Sequence, residues 1–356
     1  RRVLFRSGRY TGSNNFVGGI VHNANAGNPN TFAYVPDPSR PGFTTNIWKT
    51  FDSRVTWQVN QKNKLAVGFD QTEALNPAGV SATTAPESAD PGMFKHDRAY
   101  RGEYTAPLTS RVLLEAVMYK RTLPSFTPRP EGPSTAGLNG VTEQSTGLTY
   151  RALVGGKSFK INSNLAYRAA VSYVTGTHAF KFGYADGQGS RDETVIARDS
   201  PISFRLNNGV PNQLTQIYSP NIHCDENHGC DEYQNHSHQD HDMGLYAQDK
   251  WSMDRLTLSY GLRFSWYKTS FPEQRLTPSP LAPALNLTIP KTAGVNWKDV
   301  TPRLGVVYDL FGTGKTAVKV SLNKFMNAQA LTGNAGGGTV IFGRDRKSTR
   351  LNSSHV

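Results

Sequence analysis

The sequence lacks the features that mark helical membrane proteins and most enzymes. Only two of its 356 residues are cysteines. No stretch approaches the roughly 20 consecutive apolar residues of a transmembrane helix. No Ser-His-Asp arrangement, carboxylate pair or dinucleotide motif is recognisable, so we expect neither an enzyme nor a bound cofactor. The 33 glycines, 21 prolines and 10% aromatic residues, with little apolar periodicity of helical spacing, instead favour an all-β chain.

Positive charge is plentiful but is not concentrated. The formal net charge is +12, yet lysine and arginine occur as single residues throughout the chain. A nucleic-acid-binding surface needs basic residues gathered on one face or segment. We therefore expect no nucleic-acid partner.

The two ends resemble translated sequencing adapters. Residues 1–7 and 345–351 can be encoded by one oligonucleotide read in opposite orientations, and unrelated protein ends have no reason to share this property. We therefore predict that residues 1–7 and 344–356 are adapter-derived and exclude them from the fold. Removing their seven basic residues and one acidic residue lowers the formal charge from +12 to +6.

The stretch 256–266 alternates strictly between apolar and polar residues. One face carries Leu256, Leu258, Tyr260, Leu262, Phe264 and Trp266. Period two over this length predicts a β-strand with one apolar face. Residues 54–59, 65–70, 180–184 and 316–323 follow the same rule, whereas 112–120 is less regular.

Short and long connections alternate along the chain. Short polar turns are predicted at 60–63, 107–110, 175–177, 252–255 and 310–315, and long polar segments at 19–46, 73–95, 122–157, 188–242, 269–297 and 327–343. Compact soluble domains rarely contain so many long loops. Outer-membrane barrels have short periplasmic turns and long extracellular loops. Within 188–242, the turn signal Asn207-Asn208-Gly209 predicts a hairpin that stands above the membrane.

This pattern gives about eleven strands. The predicted strand starts are Gly8, Trp48, Lys62, His96, Arg111, Asn164, His178, Met243, Leu256, Lys298 and Lys315. Bacterial barrels of the usual kind close with an even number of strands. We therefore predict that residues 8–343 form a partial antiparallel transmembrane β-barrel, about half of a barrel of roughly 22 strands.

Two segments resemble a known family. LYAQDKWSMDRLTLSYGLR at 245–263 is similar to a hairpin of TonB-dependent receptors, particularly the Oar-like receptors with a carboxypeptidase-regulatory-like domain, and WKDVTPRLGVVYDLFGTGKT at 297–316 is similar to their next hairpin. The resemblance covers most of 8–325. It implies an outer-membrane protein in contact with lipid, and active uptake of a scarce siderophore, cobalamin, oligosaccharide or peptide. It also implies energy from the TonB complex, acting through a plug that this sequence lacks.

Two other functions are compatible with the same strands. A passive porin or a loop-displaying adhesin would use them without a plug, and a plug and TonB box in the full gene would distinguish the uptake receptor from both. A soluble all-β glycan-binding protein is the third alternative. The apolar outer face of 256–266 argues against it, and detergent dependence would test it.

Residues 221–242 hold both cysteines and five of the nine histidines. Imidazole nitrogens bind zinc, copper or nickel, so the candidate metal ligands are His223, His228, His236, His238 and His241. Their spacing matches no closed zinc site. A disulfide between Cys224 and Cys230 in an otherwise solvated loop is the simpler interpretation, because the chain passes through an oxidising compartment.

Three smaller signals have structural interpretations. Residues 312–316 (GTGKT) resemble a phosphate-binding loop, but the first required glycine is Asp309, so a tight turn is predicted. The five tryptophans are expected at strand ends or on the lipid face, with sugar stacking as an alternative for Trp297. Basic residues of the strands are expected on the lumen side, paired with other strands or the plug: Arg54, Arg168, Arg263, Arg303, Lys181 and Lys319.

Overall fold

The computed structural model describes residues 2–325 except 90–91, 127–134, 136, 197–199, 218–221, 226–227, 234 and 279–282. A short 3₁₀ helix spans Pro86–Ser88. No helix in this described part is long and apolar enough to cross a membrane. The strands are β1 (Arg2–Asn23), β2 (Pro36–Gln58), β3 (Lys64–Ala78), β4 (Gly92–Pro107), β5 (Val112–Phe126), β6 (Gly140–Glu143), β7 (Thr149–Tyr150), β8 (Lys157–Thr175), β9 (His178–Ile196), β10 (Ile202–Asn207), β11 (Val210–Gln216), β12 (Cys224–Asp225), β13 (Gly229–Cys230), β14 (Asn235–Met253), β15 (Leu256–Phe271), β16 (Gln274–Leu276), β17 (Leu287–Ile289), β18 (Thr292–Asp309) and β19 (Ala317–Asn323).

Eleven of these strands form one antiparallel sheet. Its order, β1-β2-β3-β4-β5-β8-β9-β14-β15-β18-β19, follows the chain, so each long strand pairs with the next long strand. The strand number and the all-β class predicted from the sequence are therefore confirmed. The described sheet is open, with β1 and β19 at its edges, and we call it the wall.

The wall has an apolar outer face. Leu262 and Phe264 on β15 lie opposite Ala247 and Leu245 on β14. Phe182 on β9 lies opposite the same Ala247. Leu262, Leu245 and Phe182 are 59%, 56% and 53% exposed. A soluble protein would bury such residues, whereas a barrel presents them to lipid on every second position.

Strand starts differ in how well the sequence predicted them. Starts that follow the short turns lie within two residues of the prediction, as in β9 at His178 and β15 at Leu256. Starts that follow the long loops come 4 to 12 residues earlier than predicted, as in β2 at Pro36 and β14 at Asn235. The predicted loop boundaries were wrong here because strand pairing continues beyond the apolar belt, where both faces meet water and alternation is lost.

The first strand includes residues that we predict to be adapter-derived. Residues 2–7 pair with 52–57 of β2, in one continuous register with residues 8–16 of β1. Residues 344–356 lie outside the described part of the chain. The adapter origin of both ends stays a prediction.

Glycines allow large lumen-side groups to lie flat against the wall near the 245–263 hairpin. The Tyr246 ring covers Gly183 on the neighbouring strand, so closely that a Cβ at Gly183 would overlap the ring. The Arg263 guanidinium covers Gly244 in the same way. Aromatic cover of a strand glycine restores packing that the missing side chain would supply. The hairpin thus combines small and large residues on its inner face.

We predict that Gly183→Val destabilises the barrel. The valine side chain must displace the Tyr246 ring, and overpacking of this kind costs about 1–3 kcal/mol. Gly102→Val is the matched control, since no atom lies within 4 Å of a Cβ at that position. The effect is measured as the urea concentration at which half of the barrel in membranes is unfolded. The folded form is recognised because it is heat-modifiable. Equal midpoints for the two variants would contradict the packing account.

Candidate functional site

The long loops, at the end of the wall opposite the short turns, are themselves folded. β6, β7, β10 and β11 form a four-stranded sheet in the order β11-β10-β6-β7, to which residues 24–35 and 79–89 add their contacts. We call this assembly the loop cap. The pairing of β10 with β6 is parallel and joins loops more than 50 residues apart. Sequence reasoning predicted the β10–β11 hairpin and missed its partners.

The loop cap has its own apolar core. Ala85, Val141, Tyr150 and Leu206 are buried together, with Tyr34, Leu148 and Phe204 packed around them. A second cluster, Ile20, Val80 and Ala89, also contacts Leu148. Because each loop supplies only one to three of these side chains, none of the loops has an amphipathic pattern of its own.

Glu143 ties the hairpin turn to β6. Its carboxylate accepts hydrogen bonds from the backbone N–H groups of Asn208 and Gly209 at 2.8 and 3.0 Å. It also accepts a hydrogen bond from the Ser145 hydroxyl at 2.7 Å. The Ser145 hydroxyl and then the Gly209 N–H lower the pKa of Glu143 to about 2. The carboxylate is therefore ionised at neutral pH.

Arg151 is the central polar residue of the cap. It is 4% exposed and has a left-handed backbone, with φ of 75°. Its guanidinium donates to the carbonyls of Pro29, Thr31 and Asn139 at 2.9–3.0 Å and lies 4.3 Å from the centre of the Phe32 ring. The cation thereby joins the β1–β2 loop to the β5–β8 loop.

The buried Glu87 supports the same junction. Its two carboxylate oxygens accept the backbone N–H groups of Asn23 and Arg151 at 3.4 and 3.3 Å. The neighbouring Ser88 hydroxyl donates to the carbonyl of Ala152 at 2.6 Å. Three loops therefore meet around Glu87 and Arg151. The contact between Glu87 and Arg151 was not predicted from the sequence, because both residues lie in irregular polar segments.

The lumen side of the wall carries ion pairs within and between strands. Arg54 on β2 and Arg101 on β4 both contact Glu103, at 2.8 and 2.6 Å. Lys181 on β9 contacts Glu115 on β5 at 3.0 Å. Arg54 and Lys181 thus lie on the predicted face with partners on other strands. These charges make the inner surface polar, which suits water or a polar solute.

Trp297 lies on the lumen side rather than in the lipid girdle. It is opposite Tyr267 across β15 and β18, with ring centres 5.9 Å apart. Its neighbours Lys298 and Trp266 are opposite each other on the outer face. The girdle interpretation therefore fails for Trp297. Tyr267 is only 5% exposed, so Trp297 is the ring of this pair that is suited to stacking against a planar or cyclic solute.

The cysteine and histidine loop contains a disulfide. Cys224 and Cys230 are joined and pair as β12 and β13. His228 Nδ1 is 2.8 Å from Asp225, His236 Nδ1 is 2.8 Å from Asp192, and His241 Nδ1 is 2.9 Å from Asp186.

These histidines therefore bind separate carboxylates. In the described part of the chain, no three His, Cys, Asp or Glu side chains converge on one point. Metal binding by His223, His228, His236, His238 and His241 stays a prediction.

Residues 312–316 form the turn predicted for them. Gly312 and Gly314 have φ of 69° and 70°, and Asp309 accepts the Gly314 N–H at 2.8 Å. The strand β19 follows, so no helix N-terminus is available for a phosphate.

A membrane-facing antiparallel sheet with folded loops on one side defines the wall of a transmembrane β-barrel. The chain belongs to the outer membrane beta barrel domain family, whose family model matches residues 7–343. It is thus an outer-membrane protein. Among curated proteins no match was found.

Solved structures of similar fold come from outer-membrane transport. The outer membrane transporter YddB from Escherichia coli superposes with a TM-score of 0.54 at 14% identity, over 90% of this chain and 36% of the transporter. The ferric-catecholate import receptor Fiu from E. coli K12 gives 0.50 at 12% identity, over 90% of this chain and 53% of the receptor. The ferric yersiniabactin uptake receptor FyuA from Yersinia pestis gives 0.51 at 10% identity, over 86% and 40%.

The chain spans between 36% and 53% of the length of these three structures. Identities this low establish the shared fold alone.

We predict that Arg151→Lys loosens the loop cap. Lysine keeps the charge but not the fork that reaches three carbonyls, and buried charged hydrogen bonds of this kind contribute about 1.5–3 kcal/mol each. Hydrogen exchange at the Ala85 and Thr149 amides, which bond across the cap, should accelerate at least tenfold. Arg205→Lys is the control, because Arg205 makes one exposed contact with Asn212. Unchanged exchange in Arg151→Lys would refute this role.

We predict that the His236–Asp192 pair stabilises the outer end of β9 and β14 more strongly at low pH. The hydrogen bond to Asp192 raises the pKa of His236 above 6.5. A raised folded-state pKa means that the stabilisation is complete below pH 6.5 and is lost as pH rises through the folded value. Hydrogen exchange at 235–239, corrected for its intrinsic rate, should therefore accelerate above that pH. His236→Asn should remove this dependence, and His22→Asn should retain it.

Proposed function

We propose that this chain is the barrel region of an active uptake receptor of the outer membrane. In this role the loops capture a scarce solute outside the cell, and the solute then passes along the polar lumen face. Energy reaches the receptor from the TonB complex through a plug domain. The role is transport, without catalysis.

The observation that carries this proposal is the combination of a sequential eleven-stranded wall with a folded loop cap. A general diffusion pore needs only an open polar lumen. The cap here has an apolar core and a buried Arg151–Glu87 junction, which hold a defined surface outside the membrane. A defined surface is what selective capture of a rare solute requires. The fold similarity to an outer-membrane transporter and to two iron-uptake receptors supports the same role.

We further propose that residues 8–343 are one part of a larger barrel, of roughly 22 strands, of the Oar-like kind. The open edges at β1 and β19 support this, because an unpaired strand edge in lipid leaves backbone groups without hydrogen bonds. The remaining strands would pair with both edges. The isolated chain should aggregate through them.

The solute class stays open among siderophores, cobalamin, oligosaccharides and peptides. Trp297, which packs against the buried Tyr267, favours solutes with a flat or cyclic face, which includes catecholates and sugars. Arg54, Arg101 and Lys181 add positive charge lower on the lumen face, although each is paired with an acid.

The test is energy-dependent uptake by the full gene product. Cells that express it are given labelled ferric catecholate, cobalamin or maltooligosaccharide, with and without a protonophore. Uptake of at least one probe that the protonophore or loss of TonB abolishes supports the proposal. A matched strain with the Arg151→Lys variant should take up that probe more slowly, because its cap is loosened.

Two results would overturn the proposal. Protonophore-insensitive uptake together with steady ion conductance in planar bilayers would identify a porin. A full gene without a plug or TonB box, whose product binds surfaces but admits no probe, would identify an adhesin.

A further inference from the structure

Two histidine–aspartate pairs lie on the lipid-facing side of β9 and β14, where carboxylates are not expected. His178 and Asp249 form the first pair, with Nδ1 2.6 Å from Oδ2. Asp249 also accepts the Tyr260 hydroxyl at 2.8 Å and the Ala179 N–H at 3.2 Å. The imidazole is stacked on Trp251, with ring centres 5.2 Å apart. We call His178, Asp249, Tyr260 and Trp251 the inner clasp.

The second pair repeats this arrangement at the other end of the same two strands. His241 Nδ1 is 2.9 Å from Oδ2 of Asp186, and Oδ1 of Asp186 accepts the N–H of the next residue, Asp242, at 3.1 Å. The imidazole is stacked on Trp266, with ring centres 4.5 Å apart. The Tyr184 hydroxyl is 3.5 Å from the same carboxylate. We call His241, Asp186, Tyr184 and Trp266 the outer clasp.

The two clasps are related by the two-fold symmetry of an antiparallel strand pair. β9 carries His178 and, eight residues later, Asp186; β14 carries His241 and, eight residues later, Asp249. In each clasp one aspartate oxygen binds the imidazole and the other binds the backbone N–H that follows the histidine. The same geometry at two separate positions is evidence for a shared purpose.

Both clasps lie on the lipid-facing side of the wall. Asp249 lies opposite Phe180 on β9 and Tyr260 on β15. Asp186 follows Phe182 and Tyr184 at two-residue steps, and side chains two apart share a face. Between the clasps this face consists of residues such as Phe182 and Leu245, which are more than half exposed.

The spacing of the clasps matches the membrane. Eight residues extend about 26 Å along a strand, or roughly 20 Å along the membrane normal at a tilt of about 40°. The apolar band of an outer-membrane barrel is about 25 Å tall. If the two clasps are centred on the band, each lies within about 3 Å of one border, at the level where lipid head groups begin.

Each clasp presents one unused imidazole edge. The carboxylate only accepts hydrogen bonds, so Nδ1 carries the proton of that contact. Within the described residues, neither Nε2 atom is hydrogen-bonded, and the two imidazoles are about one-third exposed. The outer clasp has a second cation, since Lys298 Nζ lies 5.6 Å from the centre of the Trp266 ring.

We propose that the clasps bind lipid phosphate groups at the two borders of the membrane and so fix the depth of the barrel. The aspartate occupies Nδ1 of each imidazole, so Nε2 is the edge left for the phosphate. The aspartate binds the Nδ1 edge of each imidazole ring, and the stacked tryptophan prevents the ring from rotating. The partner is the phosphodiester or phosphomonoester of a membrane lipid, and the probe is phosphatidylglycerol, which has a phosphate and no ammonium group.

The test counts tightly bound lipids by native mass spectrometry. The whole barrel encoded by the full gene is used in mild detergent, with added phosphatidylglycerol. His178→Asn and His241→Asn keep a donor at the position of Nδ1, facing the aspartate, and remove the Nε2 edge. Each should weaken binding of one lipid by about tenfold or more, and the double variant should lose both, because a charge-assisted hydrogen bond contributes about that much affinity.

His228→Asn is the matched control. His228 also pairs with an aspartate, Asp225, but its side chain is 84% exposed on an extracellular loop. It should retain both lipids. Lys298→Gln, which leaves the His241–Asp186 contact intact, should weaken the outer lipid alone and keeps the test informative if a histidine variant fails to fold.

Three outcomes would overturn the proposal. The first is retention of both lipids by His178→Asn and His241→Asn, which would assign the clasps a structural role only. The second is equal binding of diacylglycerol, which lacks phosphate. The third is equal lipid loss in His228→Asn.

Discussion

The structure depends on one constraint, which is that backbone N–H and C=O groups inside a membrane must bond to a neighbouring strand because no water is available there. The nine inner strands of the sheet meet this condition on both sides by pairing in chain order, and the edge strands β1 and β19 meet it on one side. Register then decides which side chains meet lipid. A slip of one residue would exchange Phe182 and Leu245 with Lys181 and Gly244, placing charge in lipid. Strand pairing and apolar alternation therefore support each other.

Outside the belt the constraint relaxes, and a different kind of order replaces it. In the loop cap, backbone groups are satisfied by side chains from distant loops, with Arg151 serving three carbonyls and Glu87 two N–H groups. At the borders of the belt the two conditions meet. There the buried carboxylates of Asp186 and Asp249 each accept a backbone N–H as well as an imidazole.

Sequence reasoning succeeded where structure is local. The short turns, the eleven strands and the hairpin at Asn208–Gly209 each follow from residues close together in the chain. It was less successful for the long loops, because the strands continue beyond the belt without an alternating pattern. Trp297 shows the limit for single residues. A tryptophan near a strand end fits either face, and only the register with Tyr267 places it in the lumen.

The sequence by itself determined the all-β class, the alternation of faces and the outer-membrane family, since period two and turn chemistry are properties of neighbouring residues. Tertiary structure alone decided which distant residues act together. Arg151 reaches Pro29 across 122 positions, and Asp249 reaches His178 across 71. The physical reason is that one residue on each loop or strand carries no periodic signal. Such residues acquire a role only when register and loop packing bring their partners within hydrogen-bonding distance.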